Sequence, residues 1–468
     1  MKELLEQING VVWGIPMLAM ILGVGLYLSL LLGFAQIRLL PKALKAFFGG
    51  LRKKKGDKDG VSPFQALCTA LAATVGTGNI AGVAGAIALG GPGTVFWIWI
   101  SALLGMITKF AEAALAVRFR QKEPDGSYSG GPMYVIGNGM NKKWHWLGWV
   151  YSFFGVFAAF GVGNATQMNA VTDCLGAAMA SFGCADMDGF KLGLGITMAV
   201  LLACVLLGGA GRIGKLSQLL VPVASILYLA LGTGVILANA WKLPGVFRMI
   251  VEGAFAPRAV TGGVLGGTFC ALRFGISRGV FTNEAGMGTA GIAHACAETK
   301  HPVEQGLLGI TEVFLDTIVI CTMTALIILC SGVGIPYGTD PGAALTAGAL
   351  ESVYGPWVNI ALTLCMCCFA FATMVGWGFY GLQCAGFLLG EGVKKRLILC
   401  QAGIVAVSTL LETGTVWLLA DILNALMAVP NLVSVVALSP VLCGLLQEWD
   451  QPKRTSEISI RQKPVSRE

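Results

Sequence analysis

Eleven apolar runs divide this 468-residue chain and leave little of it for a water-soluble fold. They fall at about 11–34, 64–90, 93–117, 145–180, 190–209, 216–238, 262–290, 303–330, 356–390, 396–411 and 414–446. About 20 apolar residues cross a bilayer as one helix, and several of these runs are longer, so tilt or extension past the membrane is expected. The run 396–411 is short, and 414–446 contains Pro430. Charged residues make up 12% of the chain and apolar residues 55%. A soluble core of this length has too little polar surface to cover so much apolar area. The chain therefore reads as an all-α membrane protein with 11 transmembrane helices in a single membrane domain, 1–468. The first run is too long for a signal-peptide core. The net charge of +7 does not point to nucleic acid, because the basic residues sit between the apolar runs. The cysteines lie mostly inside those runs. The cluster Cys365, Cys367 and Cys368 reads as small apolar filler rather than a metal site.

Lys and Arg set the orientation. With the N-terminus outside, the segments placed inside carry 24 of them and those placed outside carry 5. This alternation predicts a multi-pass protein of the cell (inner) membrane, with its N-terminus outside and its C-terminus cytoplasmic. The polar tail 447–468 is expected to be disordered on the inside. Segments 239–261 and 331–355 read as outside connections containing short helices. The second, which includes DPGAALTAGALESVYG, is either a lid over an outer vestibule or a plain surface helix.

Two spans are interrupted by glycine. The run 64–90 has no charged residue, and its centre reads Thr74-Val75-Gly76-Thr77-Gly78-Asn79. Paired glycines beside Thr and Asn make poor helix. Unwound backbone at membrane depth is tolerated only where it faces protein or a water-filled cavity. The run 262–290 mixes glycines with Arg273, Arg278, Asn283 and Glu284; Arg278 and Glu284 are expected near the inner interface, paired or snorkelling. Each broken span opens a set of five helices, 64–240 and 262–446. Five is odd, so the second set starts on the opposite side of the membrane. The pattern is that of a secondary transporter with a 5+5 inverted-repeat core.

Such a break has defined chemistry. The half-helix starting at Gly78 presents free N–H groups and a positive dipole end, which favours a carboxylate near Thr77, Gly78 and Asn79. Carbonyls freed at Ala72 to Val75 can ligate a hard cation. The run 64–90 has no carboxylate of its own, so Na+ fits it better than a proton relay.

The stretches TALAATVGTGNIAGVAGAIALGGPGTVFWIW (69–99), KFAEAALAVRFR (109–120), SGGPMYVIGNG (129–139), RFGISRGVFTNEAGMG (273–288) and FATMVGWGFYG (371–381) resemble the alanine or glycine:cation symporter family of prokaryotes. The resemblance covers roughly residues 10–447 and implies a leucine-transporter-like fold with an extra helix, 11–34, before the ten-helix core. It also implies that Thr74, Thr77, Gly78, Asn79, Gln167, Phe269, Gly275 and Trp377 bind substrate, with Trp377 as an aromatic wall. For Na+, analogy with the wider fold implies the carbonyls of Ala72, Val75 and Ala370 and the hydroxyl of Thr373; Met374 stands where a second hydroxyl is common.

On the residues alone, Gln167 in GNATQMNAVTD either faces substrate or bonds between helices. Phe269 and Trp377 are either site wall or ordinary core, and Asp173 reads as structural. Lys109 and Glu112 have the spacing of a same-face pair in the inner leaflet, with a gate role as the alternative. His294, Glu298 and His301 read as a solvated inside loop rather than a metal site. No hydrolase motif is present, so an enzyme is not expected. The expected function is Na+-coupled import of small neutral amino acids, alanine or glycine first, by alternating access, with Na+ as coupling ion and no cofactor. The alternatives are a glutamine-preferring member of the same family, and a passive channel or uniporter.

Overall fold

Serine and proline start the first broken helix. Ser62 and Gln65 form a reciprocal capping box, and Pro63 follows at the first helical position. The helix Pro63–Thr74 then stops because Val75 turns extended. The chain resumes at Gly78–Gly90 after a bend of 50°. The first turn after the break, Gly78–Gly82, is wound as a π-helix, a geometry often found at functional sites.

The computed structural model describes residues 2–52, 60–124, 126–181, 188–255, 268–409 and 413–450. Eight helices among the described residues are long and apolar enough to cross a membrane, and the bent pair makes a ninth if counted as one span. Two of the eleven expected spans fall outside that measure. The described part of 262–290 is Thr268–Asn283 followed by Thr289–Ala295, and that of 396–411 is the 15-residue helix Lys394–Ser408. The fold is nearly all helical; a pair of two-residue strands, Gln121–Lys122 and Tyr128–Ser129, sits in a connection. The tail beyond 450 lies outside the described residues.

The second broken helix unwinds at Glu284 to Gly288. Glu284, Gly286 and Gly288 have φ of 54°, 95° and 75°, in the left-handed region that suits glycine and strains a glutamate. Each backbone N–H of this turn has a partner. Ala285 N donates to Asn283 Oδ1 (2.9 Å) and Met287 N to the Glu284 carbonyl (3.1 Å). Gly286 N and Gly288 N both donate to Glu112 Oε1, at 2.9 and 3.1 Å. Asn431 Nδ2 donates to the same oxygen (2.6 Å) and to the Gly286 carbonyl (2.8 Å). Unwound backbone is thus satisfied inside the protein, as membrane depth requires.

Helix Thr94–Arg118 packs against both parts of the second broken helix and against Pro302–Val313. Its buried charges correct the expected pairing. Lys109 and Glu112 do not bond to each other: Lys109 Nζ pairs with Glu312 Oε1 at 3.2 Å, while Glu112 holds the unwound turn. His294 is buried rather than solvated; its ring nitrogens meet Gln305 Oε1 and Glu312 Oε2, each at 3.1 Å. Glu284 is buried at the break. Arg278 lies on the side of the N-terminus, 3.7 Å from Asp421 and beside the packed rings of Phe281 and Trp417, so it is paired as expected.

On that side a cavity of about 740 Å³ is bordered by Glu6, Asn9, Arg278, Asp340 and Asp421, and reaches Ala81 and Gly82. The 331–355 connection covers the first broken helix here. Gly338 N donates to the Ala88 carbonyl (3.1 Å) and Thr346 Oγ1 to the Ile80 carbonyl (3.4 Å), so this segment packs directly on the broken helix.

Candidate functional site

The first break is held open by one side chain. Asn79 Oδ1 accepts from Gly76 N at 2.8 Å and so replaces a lost helical carbonyl. Its amide Nδ2 donates to Asp316 Oδ1 (2.7 Å) and to the Asp316 carbonyl (3.2 Å), and lies 3.3 Å from Cys321 Sγ. Asp316 and Cys321 belong to the span Pro302–Ser331, which is π-wound over Phe314–Cys321. Thr317 Oγ1 donates to Asp316 Oδ2 (2.8 Å) and accepts from Asn283 Nδ2 (3.1 Å). Three elements therefore meet in one polar cluster, and all its members are buried.

Gly76 and Gly78 are needed for close approach. A Cβ at Gly76 would stand 2.6 Å from Thr373 Oγ1 and 3.4 Å from Gln167 Oε1. A Cβ at Gly78 would meet the Phe281 ring at 3.2 Å and the Thr282 methyl at 3.4 Å. Thr77 Oγ1 donates to Gln167 Oε1 at 3.0 Å. Gln167 thus faces the break. Thr74 is buried beside it and bonds within its own helix to the Ala70 carbonyl (3.2 Å).

Helix Val358–Leu389 closes another side. Gly376 lies against Ala73 and Thr373 against Gly76, so the segment carrying Ala72 and Val75 runs along the face that carries Ala370 and Thr373. Thr373 Oγ1 is a buried hydroxyl with no hydrogen-bond partner. An unpartnered buried oxygen at the edge of the break is one that a hard cation could take. Trp377, one turn further along, is fully buried, and its Nε1 donates to Glu284 Oε1 at 2.7 Å.

Most of the expected residues converge: Thr74, Thr77, Gly78, Asn79, Gln167 and Thr373 share the first break. Gly275 does not join them. A Cβ there would strike the Thr94 carbonyl and Trp97, which makes it a packing glycine between helices. The side chain of Phe269 lies outside the described residues. The second helix instead presents Phe281, Thr282 and Asn283 to the site, just before its own break. Asp316 was missed as well, although a carboxylate inside an apolar span is itself a functional signal.

Two broken helices packed on long unbroken ones, with polar groups buried at both breaks, define a secondary transporter rather than an enzyme. The fold is similar to that of MhsT in complex with L-phenylalanine, with a TM-score of 0.59 and 15% identity, over 82% of this chain and 90% of that one. The chain belongs to the sodium:alanine symporter family, whose model matches residues 1–463. It is 42% identical to the sodium/alanine symporter AgcS of Methanococcus maripaludis, over 97% of this chain and 98% of that protein. It is 37% identical to the probable sodium/glutamine symporter GlnT of Bacillus subtilis, over 99% of this chain and 95% of that protein.

Proposed function

We propose that this symporter imports small neutral amino acids, alanine or glycine first, together with Na+. The single observation that carries the reading is the Asn79 junction. One side chain holds the first break open and ties it to Asp316, so cation and substrate sites share a wall. The substrate carboxylate meets the N–H groups at Thr77 and Gly78, while the Asn79 N–H is turned onto the Gly76 carbonyl at 3.3 Å. Na+ takes the carbonyls of Ala72, Val75 and Ala370 with the hydroxyl of Thr373. The Asp316 carboxylate lowers the cost of holding a cation at membrane depth. Gln167, anchored by Thr77, borders the substrate side. The likeness to AgcS supports alanine. The likeness to GlnT keeps glutamine as the second reading.

In this reading the core is a 5+5 inverted repeat behind an extra helix, in 11 spans, with the N-terminus outside and the tail cytoplasmic. The substrate class is tested by thermal stability of the purified protein in NaCl and in choline chloride, with alanine, glycine or glutamine added. Stabilisation by alanine and glycine only in NaCl is expected. Stabilisation by glutamine alone would transfer the reading to the glutamine class.

A further inference from the structure

Starting at the first break, contacts run through the site in a nearly closed loop. Gly76 N bonds to Asn79, Asn79 to Asp316, Asp316 to Thr317, and Thr317 to Asn283. Glu284 follows Asn283 in the chain and accepts from Trp377 Nε1 at 2.7 Å. Trp377 sits one turn from Thr373, whose unpartnered hydroxyl faces Gly76. The loop is complete except between Thr373 and the first break, where the candidate Na+ ligands lie.

We infer that the Trp377–Glu284 bond links the cation site to the second break and carries the coupling between Na+ and amino acid. Trp377 and Glu284 are positioning residues in this inference, which rests on the Na+-symport reading above. A cation on Thr373 fixes helix Val358–Leu389 against Gly76. The same helix then holds Glu284, and with it the unwound turn that follows Thr282 and Asn283. The geometry favours this role over a plain packing contact. Glu284 holds a strained backbone angle, its other carboxylate oxygen accepts from Thr289 Oγ1 at the start of the next half-helix, and Trp377 backs onto Gly163, where a Cβ would overlap it. Both ends of the bond are locked, so movement of one helix is felt by the other.

The test measures alanine affinity with and without Na+ in the purified protein, in the parent, Trp377→Phe, Glu284→Gln and the double variant. The Phe variant keeps a six-membered aromatic ring and removes the N–H with the rest of the indole. The Gln variant keeps an acceptor and removes the charge. The readout is the ratio of the two affinities, a coupling factor that loss of packing alone would not change. A hydrogen bond to a carboxylate supports a fall of about tenfold in that ratio for Trp377→Phe. Glu284→Gln should fall less, and the double variant no further than Trp377→Phe. If Trp377→Phe does not fold, a reduced ratio in Glu284→Gln supports the link and an unchanged ratio overturns it. An unchanged ratio in both folded variants, or equal weakening with and without Na+, also overturns it. A parent protein in which Na+ changes affinity for no amino acid would instead refute the symport reading itself.

Discussion

Replacing Asn79 with alanine removes two separate supports in one step. The Gly76 N–H loses its acceptor at 2.8 Å and is left unpaired in a buried position. An orphaned buried donor costs about 1–3 kcal/mol. Asp316 Oδ1 loses the donor that holds it at 2.7 Å. A hydrogen bond to a charged group contributes about 1.5–3 kcal/mol. Part of this loss falls equally on the empty and loaded states, so about half is assigned to binding. That leaves about 2 kcal/mol, a factor of about 30 in affinity. The same residue borders both proposed ligands, so Na+ and alanine should weaken together. The assay is equilibrium binding of radiolabelled alanine to purified protein across a Na+ titration, with circular dichroism to confirm the helical fold. A folded Asn79→Ala protein with both affinities within threefold of the parent would refute the shared-wall argument.

The other predictions follow from single contacts. Gly76→Ala places a Cβ 2.6 Å from Thr373 Oγ1, so Na+-dependent uptake should fall by tenfold or more while the protein still folds; unchanged Na+ dependence would place the cation elsewhere. Glu112→Ala leaves two amides of the unwound turn without their acceptor and takes one of two acceptors from Asn431, and should cost about 3 kcal/mol, read as a lower melting temperature in detergent. Lys109→Met alone should destabilise by about 3–5 kcal/mol, because Glu312 is left buried without its cation. Adding Glu312→Leu should recover part of that loss, the rest being held back by His294, which loses its Glu312 partner; fully additive losses would show that the pair does not act as a unit.

The first break was legible because its chemistry is local. Paired glycines beside Thr and Asn in an uncharged span contradict helix on their face, and Gln167 stood out as one of several polar residues on one run. The second break was legible as a span but not as a position. Its glycines are spread from Gly262 to Gly288, and glycine serves packing as readily as unwinding. Gly275 proved to be the packing kind, whereas Gly286 and Gly288 carry the positive φ. The partners of buried charges were not legible at all. Lys109 has Glu112 within reach on its own helix, yet it pairs with Glu312 about 200 residues away. Only the tertiary packing of helix Thr94–Arg118 on Pro302–Val313 decides that choice. The same holds for Asp316, which supplies to the first broken helix the carboxylate that its own sequence lacks.

The most direct test of Na+-coupled import is uptake of radiolabelled alanine into proteoliposomes, with and without an inward Na+ gradient, in competition with glycine and glutamine. Accumulation above the external concentration, dependent on the gradient and blocked by glycine, is the predicted result. Equilibration without accumulation, indifferent to Na+, would contradict coupled transport through this site.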